Sequence, residues 1–347
     1  MCLGLALGTA LAFYAAIVRW FIDPYILHGS AAGRVAGVYE GYRRIEQQRS
    51  AAHATNEVVL FWGSSMIREG VDCAAFNAAC TSVSAYNLAV SGDIPCRRLV
   101  ELPRVKELHP QQVVIGVSYP EAFEDRLPFE DQISVLPASA YASMPVEART
   151  LMTGKFAIVA NRSELARFCW KRKFFLPAVF ARLGVAGRGD QLKPGHATDF
   201  NAPWVYHQAI EVSELKNFLA QHQNSFPPYT GNHQANPACS LAGRSLTLLV
   251  KELAAQGIEV VLVNMPLHPM LNELVPTRRR QALCSFLRSL CSERVKFIDY
   301  QDRLPGEDFV DLLHLGATGR AAFTSAMTRL EAAPAASADL TQASHAF

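Results

Sequence analysis

Five short runs of β-branched and apolar residues recur along the chain, each followed by helix-compatible sequence, and that alternation leaves few folds open. The runs are EVVLFW (57–62), AYNLAV (85–90), QQVVIGV (111–117), IEVVLVNM (258–265) and RVKFIDY (294–300). Strands apolar on both faces belong to a covered parallel sheet, because a half-exposed antiparallel strand would alternate. Helical runs lie between them: CRRLVELPRVKEL (96–108, interrupted by Pro103), SLAGRSLTLLVKELAAQG (240–257, ending at Gly257), TRRRQALCSFLRSLC (277–291) and GATGRAAFTSAMTRLEAA (316–333). The pattern predicts an α/β fold with a three-layer, doubly wound parallel sheet of about five strands.

The rhythm breaks between about residues 120 and 238, where no run reads as a strand and Pro, Gly and aromatic residues are frequent. This region is expected to be a mostly helical insertion in a domain spanning 57–332. Its basic-aromatic run FCWKRKFFLPAVFARLG (168–184) fits either a packed lid with a solvated cationic face or a surface for anionic lipid or glycan. RVAGVYEGYRRIEQQR (34–49) reads as an amphipathic helix with its charges late, within a juxtamembrane segment 23–56. The Ala/Ser-rich tail, 333–347, lacks periodicity and is expected to be disordered.

Residues 2–18, CLGLALGTALAFYAAIV, hold no charged side chain and are followed by Arg19 and Trp20. This is the short end of what spans a bilayer, with Trp20 and Tyr25 suited to the interface. A basic n-region is missing, so residues 1–22 read as a transmembrane anchor or uncleaved signal rather than a removed one. A buried core helix is the competing reading. The basic residues nearest the segment lie on its C-terminal side, and the positive-inside rule alone would put the body in the cytoplasm.

Composition excludes more than it selects. A formal net charge of +2 over 347 residues gives no electrostatic reason to invoke nucleic acid. The eight cysteines form no CxxC pair, and neither they nor His207, His268 and the other histidines show metal-ligand spacing, so no metal is expected. Cys73 and Cys80 are close enough in sequence to pair, with buried thiols as the alternative.

In an open parallel sheet, ligands bind beyond the carboxyl ends of the strands. The first strand delivers Gly63-Ser64-Ser65, the second NLAVSGD (87–93) with Gly92, and the third GVSY (116–119) with Ser118 and Tyr119. Near the C-terminus, DLLH places Asp311 three residues before His314. Adjacent serines after a strand fit a helix cap or a catalytic hydroxyl. An Asp three positions before a His can hold one imidazole nitrogen while the other faces a nucleophile; a helix-capping pair before Gly316 is the alternative. Asn264 and His268, in NMPLHPM (264–270), end the fourth strand and could line the same crevice, and Asn87 could serve the turn of its own segment.

Together these segments resemble the SGNH (GDSL-type) hydrolase family, over about 57–117 and 238–332. GSS (63–65) is similar to its Gly-Asp-Ser block with Ser for Asp, which makes Ser65 the implied nucleophile. NLAVSGD is similar to the second block and DLLH to the last. The resemblance implies a flavodoxin-like sheet, a Ser65–His314–Asp311 triad and an oxyanion hole from Ser65 and Gly92. GVSY departs from the family's Gly-x-Asn-Asp: Ser118 stands in place of Asn, with Ser118 expected to assist the hole, and losing such a donor costs on the order of 100- to 1,000-fold in rate elsewhere. The rival α/β-hydrolase pattern needs G-x-S-x-G, and Ile67 occupies the last glycine's place.

RWFIDPYILHGS (19–30), after an apolar segment, resembles membrane-anchored SGNH proteins of the alginate-acetylation and teichoic-acid-modifying groups. That resemblance implies a membrane-anchored, periplasmic or extracytoplasmic serine esterase or O-acyltransferase. Its substrate would be an acylated envelope polysaccharide or an acyl donor, the acyl group expected to be acetyl, with a membrane-bound acyl-transfer partner and no cofactor. A non-catalytic glycan-binding or scaffold protein that retains the fold is the alternative from another class.

Overall fold

The computed structural model describes residues 55–123, 209–222 and 236–332 throughout, parts of 9–17, 31–53 and 140–151, and residue 200. The expectations for the tail 333–347 and the basic-aromatic run 168–184 lie outside these residues. The anchor expected over 1–22 lies largely outside them too. Among the described residues no helix is long and apolar enough to cross a membrane.

Helix α1 (Ala31–Ala51) leads into β1 (Glu57–Trp62), α2 (Ser65–Gly70), α3 (Cys73–Ala79) and β2 (Val83–Asn87). There follow α4 (Pro95–Arg98), α5 (Leu102–Leu108), β3 (Gln112–Val117) and α6 (Tyr119–Ala122). The described pieces before the next strand are α7 (Val146–Leu151), α8 (Val212–His222) and α9 (Leu241–Ala255). Then come β4 (Glu259–Asn264), α10 (Pro269–Leu274), α11 (Thr277–Ser289), β5 (Val295–Asp299) and α12 (Ala317–Ala332).

The five strands form one sheet in the order β2-β1-β3-β4-β5, with every pair parallel. This is the flavodoxin-like strand order, whose switch point lies beside β1 and β3. Val58 to Trp62 are all buried, as a strand covered on both faces requires. Helices pack in two groups: α9 with α4 and α5, and α5 with α1; α12 with α2 and α3. The register pairs Phe61 with Asn87, Trp62 with Ile115, Val117 with Asn264 and Asn264 with Asp299, so all five strands end on one rim.

Two elements depart from their sequence pattern for local reasons. The apolar run at 85–90 reads as strand to its end, yet β2 stops at Asn87. The Asn87 amide turns inward, its Nδ2 3.2 Å from the carbonyls of Ile67, Arg68 and Val71 and its Oδ1 accepting from the Ala89 N–H. Leu88 and Val90 then donate to the carbonyls of Phe61 and Gly63, so the chain leaves the ladder along the end of β1. The run at 96–108 is two helices, because Pro103 lacks an N–H and fits only the first turn of α5.

Helix α1 buries Val35, Val38, Tyr39, Tyr42 and Ile45, spaced for one helical face. Cys73 and Cys80 are not joined. They stand at opposite ends of the seven-residue α3, about 10 Å apart at 1.5 Å per residue, beyond the reach of a disulfide.

Candidate active site

The Gly63-Ser64-Ser65 turn divides its two serines between two tasks. Ser64 is the N-cap of α2: its hydroxyl oxygen accepts from the Met66 N–H at 3.4 Å. That leaves Ser65 as the first helical residue, half-buried on the rim. The turn needs its glycine, since Gly63 has φ +149° and a Cβ there would meet Ile67 Cγ1 at 2.8 Å. Ile67, fully buried, also fills the space over Gly116, where a Cβ would meet its Cγ1 at 2.2 Å. Two positions without side chains let α2 sit directly on the ends of β1 and β3.

The loop before α12 is closed on itself. Val310 donates to the His314 carbonyl at 2.9 Å and Gly316 to that of Asp308 at 2.7 Å. Gly319 on α12 is pressed against the Asp308 carbonyl, 2.3 Å from where a Cβ would lie. Inside this loop Asp311 Oδ1 accepts the N–H groups of Leu313 and His314 at 2.7 and 2.8 Å. Its Oδ2 lies 2.8 Å from His314 Nδ1, and His314 Nε2 lies 2.8 Å from Ser65 Oγ.

Burial alone would raise the Asp311 carboxyl, but the hydrogen bond and charge of His314, with the two N–H groups, hold it below its usual value. An ionised Asp311 accepts a hydrogen bond from the Nδ1–H of His314, which keeps the ring proton on Nδ1 and leaves Nε2 free to accept from the Ser65 hydroxyl. Carboxylate, imidazole and hydroxyl are thus in hydrogen-bonding sequence. Such a chain activates a serine for attack on a carbonyl carbon.

Gly92 lies exposed on the same rim, with φ +63°. The segment that carries it is tied to the nucleophile turn by the Val90 N–H to Gly63 carbonyl bond, 3.0 Å. Ser118 is buried, and its N–H donates to Glu121 Oε2 at 3.2 Å. Burial pushes the Glu121 carboxyl up to about 7, an effect the Ser64 and Ser118 hydrogen bonds oppose and the Asp93 charge reinforces. Glu121 and Asp93 line a small cavity of about 20 Å³ with Gly63, Arg98 and Gly116.

His268 caps α10 through Nδ1, 3.2 Å from the Met270 N–H, and its ring meets Phe309 edge-on. Burial lowers its pKa, against the pull of the nearby Asp311 charge. It braces the back of the histidine loop. Asn264 does not join the crevice: its Nδ2 donates to Asp299 Oδ1 and Gln301 Oε1 at 2.8 and 3.0 Å. Those two residues line a separate cleft of about 300 Å³ beside α11. Among the described residues no group of three or more His, Cys, Asp or Glu side chains could hold a metal ion.

The residues that sequence reading missed are Glu121, Asp93, Arg97, Arg98, Glu101 and Tyr42. Only the spacing of Asp93, Arg97 and Glu101, four residues apart, could have marked any of them.

In comparisons with known proteins, one family model, for an uncharacterised family, matches residues 240–331. The match runs from α9 into α12, so it includes Asp311 and His314 and leaves Ser65 outside. No curated protein matches the chain.

Proposed function

We propose that the chain is an SGNH-type serine esterase or O-acyltransferase that works through an acyl-enzyme. The observation that carries this reading is the Asp311–His314–Ser65 relay, with both side-chain contacts at 2.8 Å. Ser65 Oγ attacks the ester carbonyl as His314 Nε2 takes its proton. The oxyanion forms against the backbone N–H groups of Ser65 and Gly92, and the imidazolium returns the proton to the leaving alkoxide. Water or a sugar hydroxyl, deprotonated in turn by His314, then releases the acyl group. Hydrolase and transferase share these residues and differ in how well the site excludes water.

On the same reading the acyl group is acetyl and the acceptor an envelope polysaccharide. The apolar segment 2–18 would hold the domain on the extracytoplasmic side of a membrane, beside an acyl-supplying partner. A second reading, a non-catalytic glycan-binding component, draws support from Ser118, which stands where the family carries Asn and whose N–H is turned to Glu121. A fluorophosphonate probe separates the two. The enzyme is labelled and the Ser65→Ala variant is not; a native protein that stays unlabelled under conditions effective on other serine esterases supports the scaffold. Acetate release measured beside transfer to purified polysaccharide then divides hydrolase from transferase.

A further inference from the structure

Four charged side chains are buried beside the loop that carries Gly92. Arg97 and Glu101 are fully buried, Arg98 is 2% exposed and Asp93 4%. Asp93 accepts from Arg97 Nε at 2.6 Å and from Arg98 Nε at 2.5 Å, one on each oxygen. Glu101 accepts from Arg97 Nη1 on one oxygen and from Arg98 Nη1, at 2.7 Å, on the other. The formal charges cancel. A buried set of this kind is often no more stabilising than apolar side chains of the same volume, so its use here is better sought in geometry.

The network grips the loop at both ends. Asp93 directly follows Gly92, and Arg98 Nη2 donates to the Leu88 carbonyl at 2.8 Å, where the chain leaves β2. Its hydrogen bonds also reach β1 and α1 through the Tyr42 hydroxyl. That hydroxyl donates to Glu101 Oε2 at 2.7 Å and accepts from Trp62 Nε1 at 2.9 Å. Trp62 is the last residue of β1, one position before Gly63, and the Arg98 guanidinium stacks 5.2 Å from its ring centre.

We infer that Tyr42, with Glu101, Arg98 and Asp93, is a positioning set through which helix α1 holds the oxyanion loop and the nucleophile turn in register. This rests on the reading of Ser65 as nucleophile and Gly92 as an oxyanion donor. Helix α1 is then part of the catalytic unit and more than a spacer after the N-terminal segment. Misplacing the Gly92 N–H by a fraction of an ångström weakens transition-state binding and leaves ground-state binding nearly unchanged.

The test uses the full chain and the variants Tyr42→Phe and Asp93→Asn, at a temperature well below their unfolding. Three quantities are measured: KM and kcat on an activated acetyl ester, the rate of fluorophosphonate labelling, and amide hydrogen exchange of residues 88–93. Tyr42→Phe, which deletes one oxygen, is expected to lower kcat and the labelling rate on the order of 10- to 100-fold, with KM within about twofold. Exchange in 88–93 accelerates while that of β4 stays native. Native kcat with native exchange in folded Tyr42→Phe overturns the inference, as does activity that falls only with the folded fraction. If Asp93→Asn does not fold, Tyr42→Phe still decides. A wild-type protein that is never labelled refutes the serine reading instead, and the exchange result still reports whether Tyr42 holds the loop.

Discussion

His314 Nε2 lies 2.8 Å from Ser65 Oγ across 249 positions of sequence. One end of this contact is fixed by the Ser64 cap of α2, just past β1, the other by a closed loop ahead of α12. Local fixing is not enough for either residue; each depends on the sheet that brings the two strand-end loops to one rim.

Asp311→Asn keeps the shape of the loop but favours the wrong imidazole tautomer. An amide that donates toward Nδ1 leaves Nε2 carrying the proton, so it cannot accept from Ser65. The expected loss in kcat is about 1,000- to 10,000-fold, measured on an activated ester with folding checked by circular dichroism. A loss below tenfold would mean that Asp311 does not set the tautomer.

Ser64→Ala separates the two serines. It removes the cap of α2 and should cost about 1 kcal/mol of stability in denaturant unfolding. Fluorophosphonate labelling should persist, slowed at most severalfold. Loss of labelling in Ser64→Ala with retention in Ser65→Ala would exchange their roles.

Glu121 gives the protein a pH-dependent stability. Its carboxyl titrates about 7 in the folded chain against an ordinary 4.5, so the folded state holds the proton more tightly. Stability from this group is therefore fully present below pH 4.5 and falls as pH rises toward 7, because ionisation of the buried carboxyl is costly, with the Asp93 charge adding to that cost. Glu121→Gln should remove that decline, so that the variant gains about 3 kcal/mol over wild type between pH 4.5 and 8. Parallel stability curves for the two proteins across that window would show that Glu121 ionises without penalty.

Gly116→Ala drives a methyl group into Ile67 and should lower stability by about 1–3 kcal/mol. Gly116→Ala combined with Ile67→Ala should cost less than the two single changes added together, because removing Cγ1 and Cδ1 makes room for the new methyl. Strict additivity in thermal unfolding would argue that α2 does not rest on the β3 end through this contact.

The sheet is legible in the sequence because its strands are β-branched and apolar on both faces, as in EVVLFW and VVIGV. The end of β2 is not, because Leu88 to Val90 carry the same apolar character, and what stops the strand is one buried amide, Asn87. Ser65, Asp311 and His314 are legible because each sits in a short pattern at a strand end. Tyr42 and Trp62 are not, since their partners lie on separate elements and no local spacing links residue 42 to residue 101. Cys73 and Cys80 show why closeness in sequence does not decide a disulfide: the helix between them holds them apart.

The central claim is a covalent intermediate on one hydroxyl, and peptide mass mapping after brief exposure to an activated acetyl ester tests it most directly. The account predicts an acetyl adduct on the peptide containing Ser65, absent from Ser65→Ala and formed far more slowly in His314→Ala. Turnover by Ser65→Ala at the native rate, or an adduct confined to another residue, would contradict it.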